Sequence, residues 1–135
     1  MTIHWLGVIV AAVAGFVVGG IWYGPLFGKQ WAAARGLTDE ALKAGFNMPL
    51  VFGSVFALNF VSAFMLDHLY ATYDAPPLSL HHAVLIAGII GMGFVATSIG
   101  VNYLFSRLPR ALFLIDAGYW IVTYLVMGAV LNVLS

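Results

Sequence analysis

Four apolar runs of about 20 residues or more occupy most of this chain of 135 residues, and they limit its possible folds more than any other feature. A helix crosses the roughly 30 Å hydrocarbon layer of a membrane with about 20 predominantly apolar residues. Each run is apolar on all sides of a helix, and no polar elements remain to bury it. We therefore predict an all-α fold, a polytopic transmembrane four-helix bundle in a single membrane domain, with spans at about residues 3–23, 48–70, 80–105 and 111–134.

The composition and the motifs argue against two classes of function, nucleic-acid binding and enzymatic catalysis. Only 7% of the residues are charged, whereas soluble domains contain about 25% charged residues. The formal net charge is zero, so no basic face is available for a nucleic acid, and there is no cysteine for a disulfide or a thiolate nucleophile. The sequence contains no phosphate-binding glycine loop, nucleophile elbow or HExxH zinc motif. We predict that the protein is not an enzyme and does not bind nucleic acid.

The connection between the first two spans, residues 25–46, is the only charged segment of any length. Pro25 is expected to end the first span, because proline cannot donate a backbone hydrogen bond inside a helix. Thr38 is a good N-cap residue, and Asp39 and Glu40 then fall in a first turn, where the helix dipole favours acids. We expect one or two short helices here that lie on the membrane surface, and no further crossing.

The basic residues predict the orientation of the bundle. All of them fall in the first and third connections, which an even number of spans places on the same side: Lys29, Arg35, Lys43, Arg107 and Arg110. Because basic loops face the cytoplasm, both termini are predicted to be extracytoplasmic. The first apolar run lacks the basic start of a signal peptide and is longer than a signal core, so we expect it to be retained.

Small residues recur at every fourth position of two spans. They are Ala11, Gly15 and Gly19 in the first span, and Ala83, Ala87 and Gly91 in the third. Such stripes let helix backbones approach closely in lipid, and packing within the chain is the simpler interpretation. Besides the lipid bilayer, the partner that we expect is a second copy of the chain or another membrane protein, because four helices bury little surface.

All the histidines fall near one membrane face, together with an aspartate. The residues are His4, Asp67, His68, His81 and His82. Histidine and aspartate bind transition metals and histidine binds haem iron, but the spacing here matches no metal motif. The favoured interpretation is a layer of interfacial polar residues without a cofactor, and a metal or haem site is the alternative.

Asp116 lies inside the fourth span, about 9 Å along the helix from Arg110. Carboxylates within a membrane usually face the bundle interior and have a partner. Five residues at a similar depth are candidate contacts for a ligand or ion together with Asp116: Asn102, Tyr119, Trp120, Trp22 and Tyr23. Two interpretations remain for Asp116. It is a proton or cation site, or it is a structural pin that bonds to one of four neighbours: Asn102, Arg107, Arg110 or Tyr23.

Two stretches of the sequence carry a family resemblance. Trp22–Trp31 reads WYGPLFGKQW, and Ile115–Trp120 reads IDAGYW and is followed by Met127 and Gly128. In this order they resemble a widespread bacterial family of small membrane proteins of unknown function, which typically shows a WYxPLFGKxW stretch after its first span. The resemblance covers essentially the whole chain. It implies four spans and a bacterial cell (inner) membrane, and it implies no activity.

Three functional hypotheses follow. The leading one is a membrane protein without enzymatic activity that binds a small apolar or amphipathic ligand, or a membrane partner, within the bilayer. The second is a small oligomeric transporter or channel in which Asp116 is the proton or cation site. The third is a metal-binding or haem-binding membrane module that uses the histidines of the extracytoplasmic face.

Overall fold

The predicted fold class is confirmed by the computed structural model of the protein, which describes residues 2–38, 40–41, 47–73 and 77–135. Within these residues the chain forms helices and no strands. A short helix, α2, covers Gly28–Arg35. The other four have the length and apolar composition that a membrane crossing requires, and they make the chain a multi-pass bundle: α1 (Trp5–Leu26), α3 (Met48–Ala71), α4 (Leu80–Phe105) and α5 (Arg110–Val133).

The helices α1 and α5 form the centre of the bundle. The former packs along α3 and α5, and the latter along α1 and α4. Consequently α5 is the most buried span, whereas α3 and α4 lie at the two ends of the row and are mostly exposed. These outer spans approach each other at one end, where the hydroxyl of Tyr70 donates a hydrogen bond to the carbonyl of Ala83.

Small residues allow the central contacts, as the stripes in the sequence predict. A Cβ atom added to Gly15 of α1 would lie 3.2 Å from Cγ2 of Thr123 in α5. One added to Gly91 of α4 would lie 3.2 Å from the Cα atom of Ile121, also in α5. The stripes of α1 and α4 therefore pack inside the chain. The core that they enclose is small: Val8, Ala11, Ala12, Ala63, Leu66, Ala87, Met127 and Leu131.

Polar side chains fix the starts of α3 and α4. Asn47 precedes α3, and its Oδ1 atom accepts a hydrogen bond from the amide of Leu50 over 3.1 Å. Ser79 precedes α4, and its Oγ atom accepts from the amide of His82 over 3.2 Å. Each bond satisfies an amide that has no partner inside the helix.

The prediction that Pro25 ends the first span is wrong. Residues Trp22–Leu26 continue α1 as a π-helical turn, and Pro25 lies inside this turn. The amide of Phe27 donates to the carbonyl of Trp22 over 2.8 Å, five residues back. A local change to π-helical bonding gives partners to the backbone groups that a proline would leave free, so the span extends to Leu26.

The predicted surface segment begins with α2. Gly36 ends this helix with a φ of 69°, a left-handed conformation that glycine adopts without steric cost. Beyond it, Thr38 acts as the predicted cap, because its Oγ1 atom accepts a hydrogen bond from the amide of Ala41 over 3.1 Å. Asp39 and residues 42–46 of this segment, which include Lys43, lie outside the described residues.

A second π-helical segment, Gly91–Ala96, interrupts α4 near its middle. Two hydroxyls just beyond it bond to its carbonyls. Thr97 Oγ1 donates to the carbonyl of Gly93 over 2.9 Å, and Ser98 Oγ donates to that of Phe94 over 2.6 Å. The segment thus satisfies its polar backbone within the helix, as a lipid environment requires.

The polar residues divide between the two ends of the bundle. We call the end that carries Lys29, Arg35, Arg107 and Arg110 the basic face. We call the opposite end, with His4, Asp67, His68, His81 and His82, the histidine face. This division agrees with the two polar layers predicted from the sequence.

Candidate functional site

Asp116 is the centre of a hydrogen-bonded cluster near the basic face. Its side chain is 9% exposed and lies in the second turn of α5. The hydroxyl of Tyr23, from α1, donates to Oδ1 over 2.6 Å, and the hydroxyl of Tyr103, from the end of α4, donates to Oδ2. We call these three residues the Asp116 cluster. They tie α1, α4 and α5 together through one carboxylate.

Among the described residues, no basic side chain forms an ion pair with Asp116. Arg35 acts electrostatically on Tyr103, and its guanidinium lies 5.5 Å from the centre of the Trp31 ring. Both oxygens of the carboxyl group are therefore bonded to hydroxyl groups, and the group has no cationic partner in the described part of the chain.

Two of the predicted site residues pack beside this cluster. The indole of Trp22 donates from Nε1 to the carbonyl of Ile115 over 2.9 Å. The hydroxyl of Tyr119 donates to the carbonyl of Gly15 over 3.3 Å. The Tyr119 ring lies 5.2 Å from the Tyr23 ring, measured between centroids. Both side chains thus link α1 to α5, and the Tyr119 ring lies at a tilt beside that of Tyr23.

An apolar groove of about 580 Å³ runs from the Asp116 cluster toward the middle of the membrane, between α1, α3 and α5. We call it the aromatic groove. Its rim is exposed at Gly20, Val55 and Leu58, so it opens on the lipid-facing surface. It is lined by Phe16, Gly19, Gly20, Tyr23, Gly24, Phe52, Val55, Leu58, Asn59, Tyr119 and Trp120.

Asn59 brings a carboxamide into the lining of this apolar groove. It lies halfway along α3, is fully buried, and neither atom of its carboxamide has a hydrogen-bond partner. Thr123 of α5 is also fully buried, and its hydroxyl has no partner. Both residues border Gly15, whose added Cβ atom would lie 3.6 Å from Cγ of Asn59. Native proteins rarely leave buried polar atoms unpaired, which makes this position a candidate for ligand contact.

The histidine face brings His4 and Asp67 together. The carboxylate of Asp67 is buried, and its Oδ2 atom accepts a hydrogen bond from the amide of His4 over 2.9 Å. The Nδ1 atom of His4 lies 3.4 Å from the other oxygen, Oδ1. Beside this pair is a polar cavity of about 410 Å³, which is also lined by Tyr73 and Asn132.

The remaining histidines lie elsewhere on that face. His68 stacks on Phe64, with 6.3 Å between ring centroids. Nδ1 of His82 is 2.8 Å from Oγ of Ser79, and the exposed His81 borders a different groove. In the ranges that the structure describes, no three His, Asp or Glu side chains come close enough to hold a metal ion. Of the five predicted ligands, His4 and Asp67 are therefore the pair whose polar atoms approach each other.

Some of the predicted contacts of Asp116 lie close to it in the structure, and others do not. Tyr23 is bonded to it, and Tyr119 and Trp120 lie beside Tyr23 in the aromatic groove. Asn102 is exposed and does not reach it, because the next residue of α4, Tyr103, takes the position that faces α5. Adjacent helix residues point about 100° apart, so only one of the two can do so. Tyr103 was not among the residues predicted from the sequence, and Asn59 was not predicted as a site residue.

The proposed partners Arg107 and Arg110 are both exposed and form no ion pair with Asp116. Arg107 has a φ of 56° and lies in the turn between α4 and α5. The carboxylate is bonded instead to the hydroxyls of Tyr23 and Tyr103.

The comparisons with known proteins agree with the architecture. Residues 6–132 match the family described as "Protein of unknown function (DUF1761)". No curated protein matches the chain, and no solved structure matches it. Because the match covers nearly all of the chain, the protein belongs to this family of unknown function.

Proposed function

We propose that the protein binds a small amphipathic molecule from the lipid phase in its aromatic groove. The observation that carries the proposal is the buried, unpartnered carboxamide of Asn59 in a groove that is otherwise apolar. Ligand sites of this kind combine a mostly apolar lining with a few polar groups that fix the orientation of the ligand. A groove of about 580 Å³ also falls within the range of small-molecule sites.

The chemistry of Asn59 defines the polar part of the ligand. A carboxamide offers two N–H donors and a carbonyl acceptor, so it pairs with a hydroxyl, a carbonyl or an amide. Leaving such a group unpaired in a dry interior costs about 1–3 kcal/mol. A ligand whose polar group meets Asn59 removes this cost, and its apolar part replaces lipid along the exposed rim.

A photoreactive long-chain alcohol that carries a diazirine tests the proposal in nanodiscs. The alcohol supplies the hydroxyl for Asn59, and mass spectrometry locates the residues that it labels. Labelling is expected to concentrate on the peptides around Gly20 and Asn59. The substitution Gly20→Leu is expected to fill part of the groove and to remove this labelling, because Gly20 lines the groove and a Cβ atom there meets nothing within 4 Å.

Gly53→Leu is the matched control. A Cβ atom at Gly53 also meets nothing within 4 Å, and Gly53 does not line the groove. The control is expected to keep the labelling pattern of the unmodified protein. Uniform labelling of all lipid-facing helices, or equal labelling of the two leucine variants, would contradict a site in the aromatic groove.

We also propose a location, the bacterial inner membrane, with both termini extracytoplasmic. The support is the position of the basic residues, which by the positive-inside rule puts the basic face in the cytoplasm. A reporter fused to the C-terminus that works only outside the cytoplasm is expected to be active. Activity of a cytoplasmic reporter at the same position would reverse the orientation.

A further inference from the structure

We propose that the aromatic groove selects a lipophilic organic cation, with the Asp116 cluster as its counter-charge. This inference rests on the proposed function, because it assigns a charge to the ligand of the same groove. The structural basis is Tyr23, which belongs to both sites. Its ring lines the groove, and its hydroxyl donates to Oδ1 of Asp116 over 2.6 Å.

Asp116 supplies the counter-charge in this proposal. A carboxylate that is nine-tenths buried in a membrane protein is costly unless something of opposite charge compensates it. The described residues give it two hydroxyl donors and no ion pair. Arg35 acts electrostatically on Tyr103, and no Lys or Arg among the described residues lines the groove.

The aromatic side chains of the groove supply the contact surface for the cation. Phe16, Tyr23, Phe52, Tyr119 and Trp120 all border the groove. The rings of Tyr23 and Tyr119 are 5.2 Å apart, and those of Tyr119 and Trp120 are 5.0 Å apart, between centroids. These three rings therefore pack against one another in the lining of the groove, and an aromatic face attracts an organic cation within about 6 Å of the ring centroid.

The carboxylate of Asp116 and the aromatic rings act on a ligand at the same position in the groove. A cationic group beside the ring of Tyr23 contacts an aromatic side chain, and Oδ1 of Asp116 lies 2.6 Å from the hydroxyl oxygen at the end of the same ring. The attraction between the cation and the carboxylate persists across the tyrosine side chain, because the apolar surroundings screen charges weakly. A neutral ligand gains only the apolar contacts, and an anion is repelled. The groove therefore distinguishes ligands by charge as well as by size.

Tetraphenylphosphonium and tetraphenylborate are matched probes for this inference. They have nearly the same size and shape and opposite charges. Binding of each is measured by equilibrium dialysis to the protein in phosphatidylcholine nanodiscs, with empty nanodiscs subtracted. We expect saturable, protein-dependent binding of tetraphenylphosphonium and none of tetraphenylborate. Equal binding of the two ions, or no saturable binding of the cation, would overturn the inference without the need for any variant.

Two variants then locate the counter-charge. Asp116→Asn keeps the size of the side chain and removes its charge, and it is expected to weaken tetraphenylphosphonium binding at least tenfold. Asp67→Asn, the matched change of a second buried carboxylate, at the histidine face, is expected to leave binding unchanged. Circular dichroism confirms that each variant is folded. An equal effect of both variants, or none, would reject Asp116 as the counter-charge.

The diazirine alcohol separates this inference from the proposed function. If the neutral alcohol labels the groove and the two ions bind equally, the groove is a ligand site without charge selection. If the alcohol does not label the groove and Gly20→Leu leaves tetraphenylphosphonium binding intact, both the groove and the inference are wrong.

Discussion

Tyr23 and Asp116 are 93 positions apart in the sequence and are joined by a hydrogen bond of 2.6 Å from the tyrosine hydroxyl to Oδ1. The bond crosses from the end of α1 to the start of α5, the two central spans. It therefore stabilises the central helix pair as well as the wall of the aromatic groove. A polar bond at this depth has consequences for folding that can be measured independently of any ligand.

Tyr23→Phe removes this donor and leaves one oxygen of a buried carboxylate without its partner. The expected loss is about 1–3 kcal/mol in the free energy of unfolding, measured by titrating mixed micelles with dodecyl sulfate. Tyr124→Phe is the control, because the hydroxyl of Tyr124 forms no hydrogen bond in the described part of the structure. Equal stability losses in the two variants would show that the hydroxyl bond to Asp116 contributes nothing.

Gly128→Ala is expected to separate α4 from α5 near the histidine face. The new Cβ atom would lie 2.6 Å from Cβ of Ala87 and 3.2 Å from the backbone carbonyl of Ala83, and neither can move without shifting α4. Overpacking of this kind costs about 1–3 kcal/mol. Unfolding in mixed micelles measures the loss.

Gly53→Ala is the matched change on the exposed surface of α3, where a Cβ atom meets nothing within 4 Å. It is expected to be neutral or to stabilise the helix by up to about 1 kcal/mol, because alanine favours a helix more than glycine does. A Gly128→Ala protein as stable as Gly53→Ala would mean that α4 and α5 are not packed as closely as described.

Asn59→Leu is expected to raise the stability of the ligand-free protein and to remove labelling of the groove by the diazirine alcohol. Leucine has a similar size and no unpaired polar atoms, so the cost of about 1–3 kcal/mol for a buried unpaired group disappears. A gain in stability with a loss of binding is the usual mark of a residue kept for function.

Asn132→Leu is the opposite case and serves as its control. The Nδ2 atom of Asn132 donates to the carbonyl of Leu78 over 2.6 Å, so this substitution breaks a bond and is expected to destabilise the protein by about 1 kcal/mol. If Asn59→Leu destabilises the ligand-free protein as Asn132→Leu does, the carboxamide of Asn59 has a structural partner.

Asp67→Leu is expected to cost more stability than His4→Ala. The first removes the acceptor of the 2.9 Å bond from the backbone amide of His4, which holds the start of α1 against α3. The second removes only the imidazole, which is partly exposed and lies 3.4 Å from the carboxylate. Half-exposed pairs contribute about 1 kcal/mol or less. Thermal unfolding in detergent compares the two, and a larger loss in His4→Ala would assign the contact to the ring.

The spans and the two polar ends could be predicted from the sequence because hydropathy and charge are local properties of the chain. The pairing of Asp116 with Tyr23 was among the predicted alternatives for the same reason, since both lie at one depth. The choice between Asn102 and Tyr103 was not predictable. It depends on the rotation of α4 after Gly91–Ala96, and no hydropathy pattern reports a π-helical segment.

The aromatic groove was also beyond sequence reasoning, although several of its residues were candidates. It exists because α3 packs along α1 and diverges from α5, and this depends on contacts between distant parts of the chain. The buried Asn59 could have been noticed as the amide in the middle of the second apolar run. Its burial and its lack of a partner, however, are properties of the assembled bundle.

The π-helical segment of α4 limits the changes in length that this helix can accept. Such a segment contains one residue more than the α-helical turn it replaces. Gly91, at its start, is held against α5, and Tyr103, beyond its end, bonds to Asp116. Deleting one residue between them turns the distal part of α4 by about 100° relative to Gly91 and carries the Tyr103 hydroxyl away from the carboxylate. The number of residues between Gly91 and Tyr103 therefore cannot change by even one without loss of the bond to Asp116. Substitutions in this interval are expected to be tolerated more readily than a deletion.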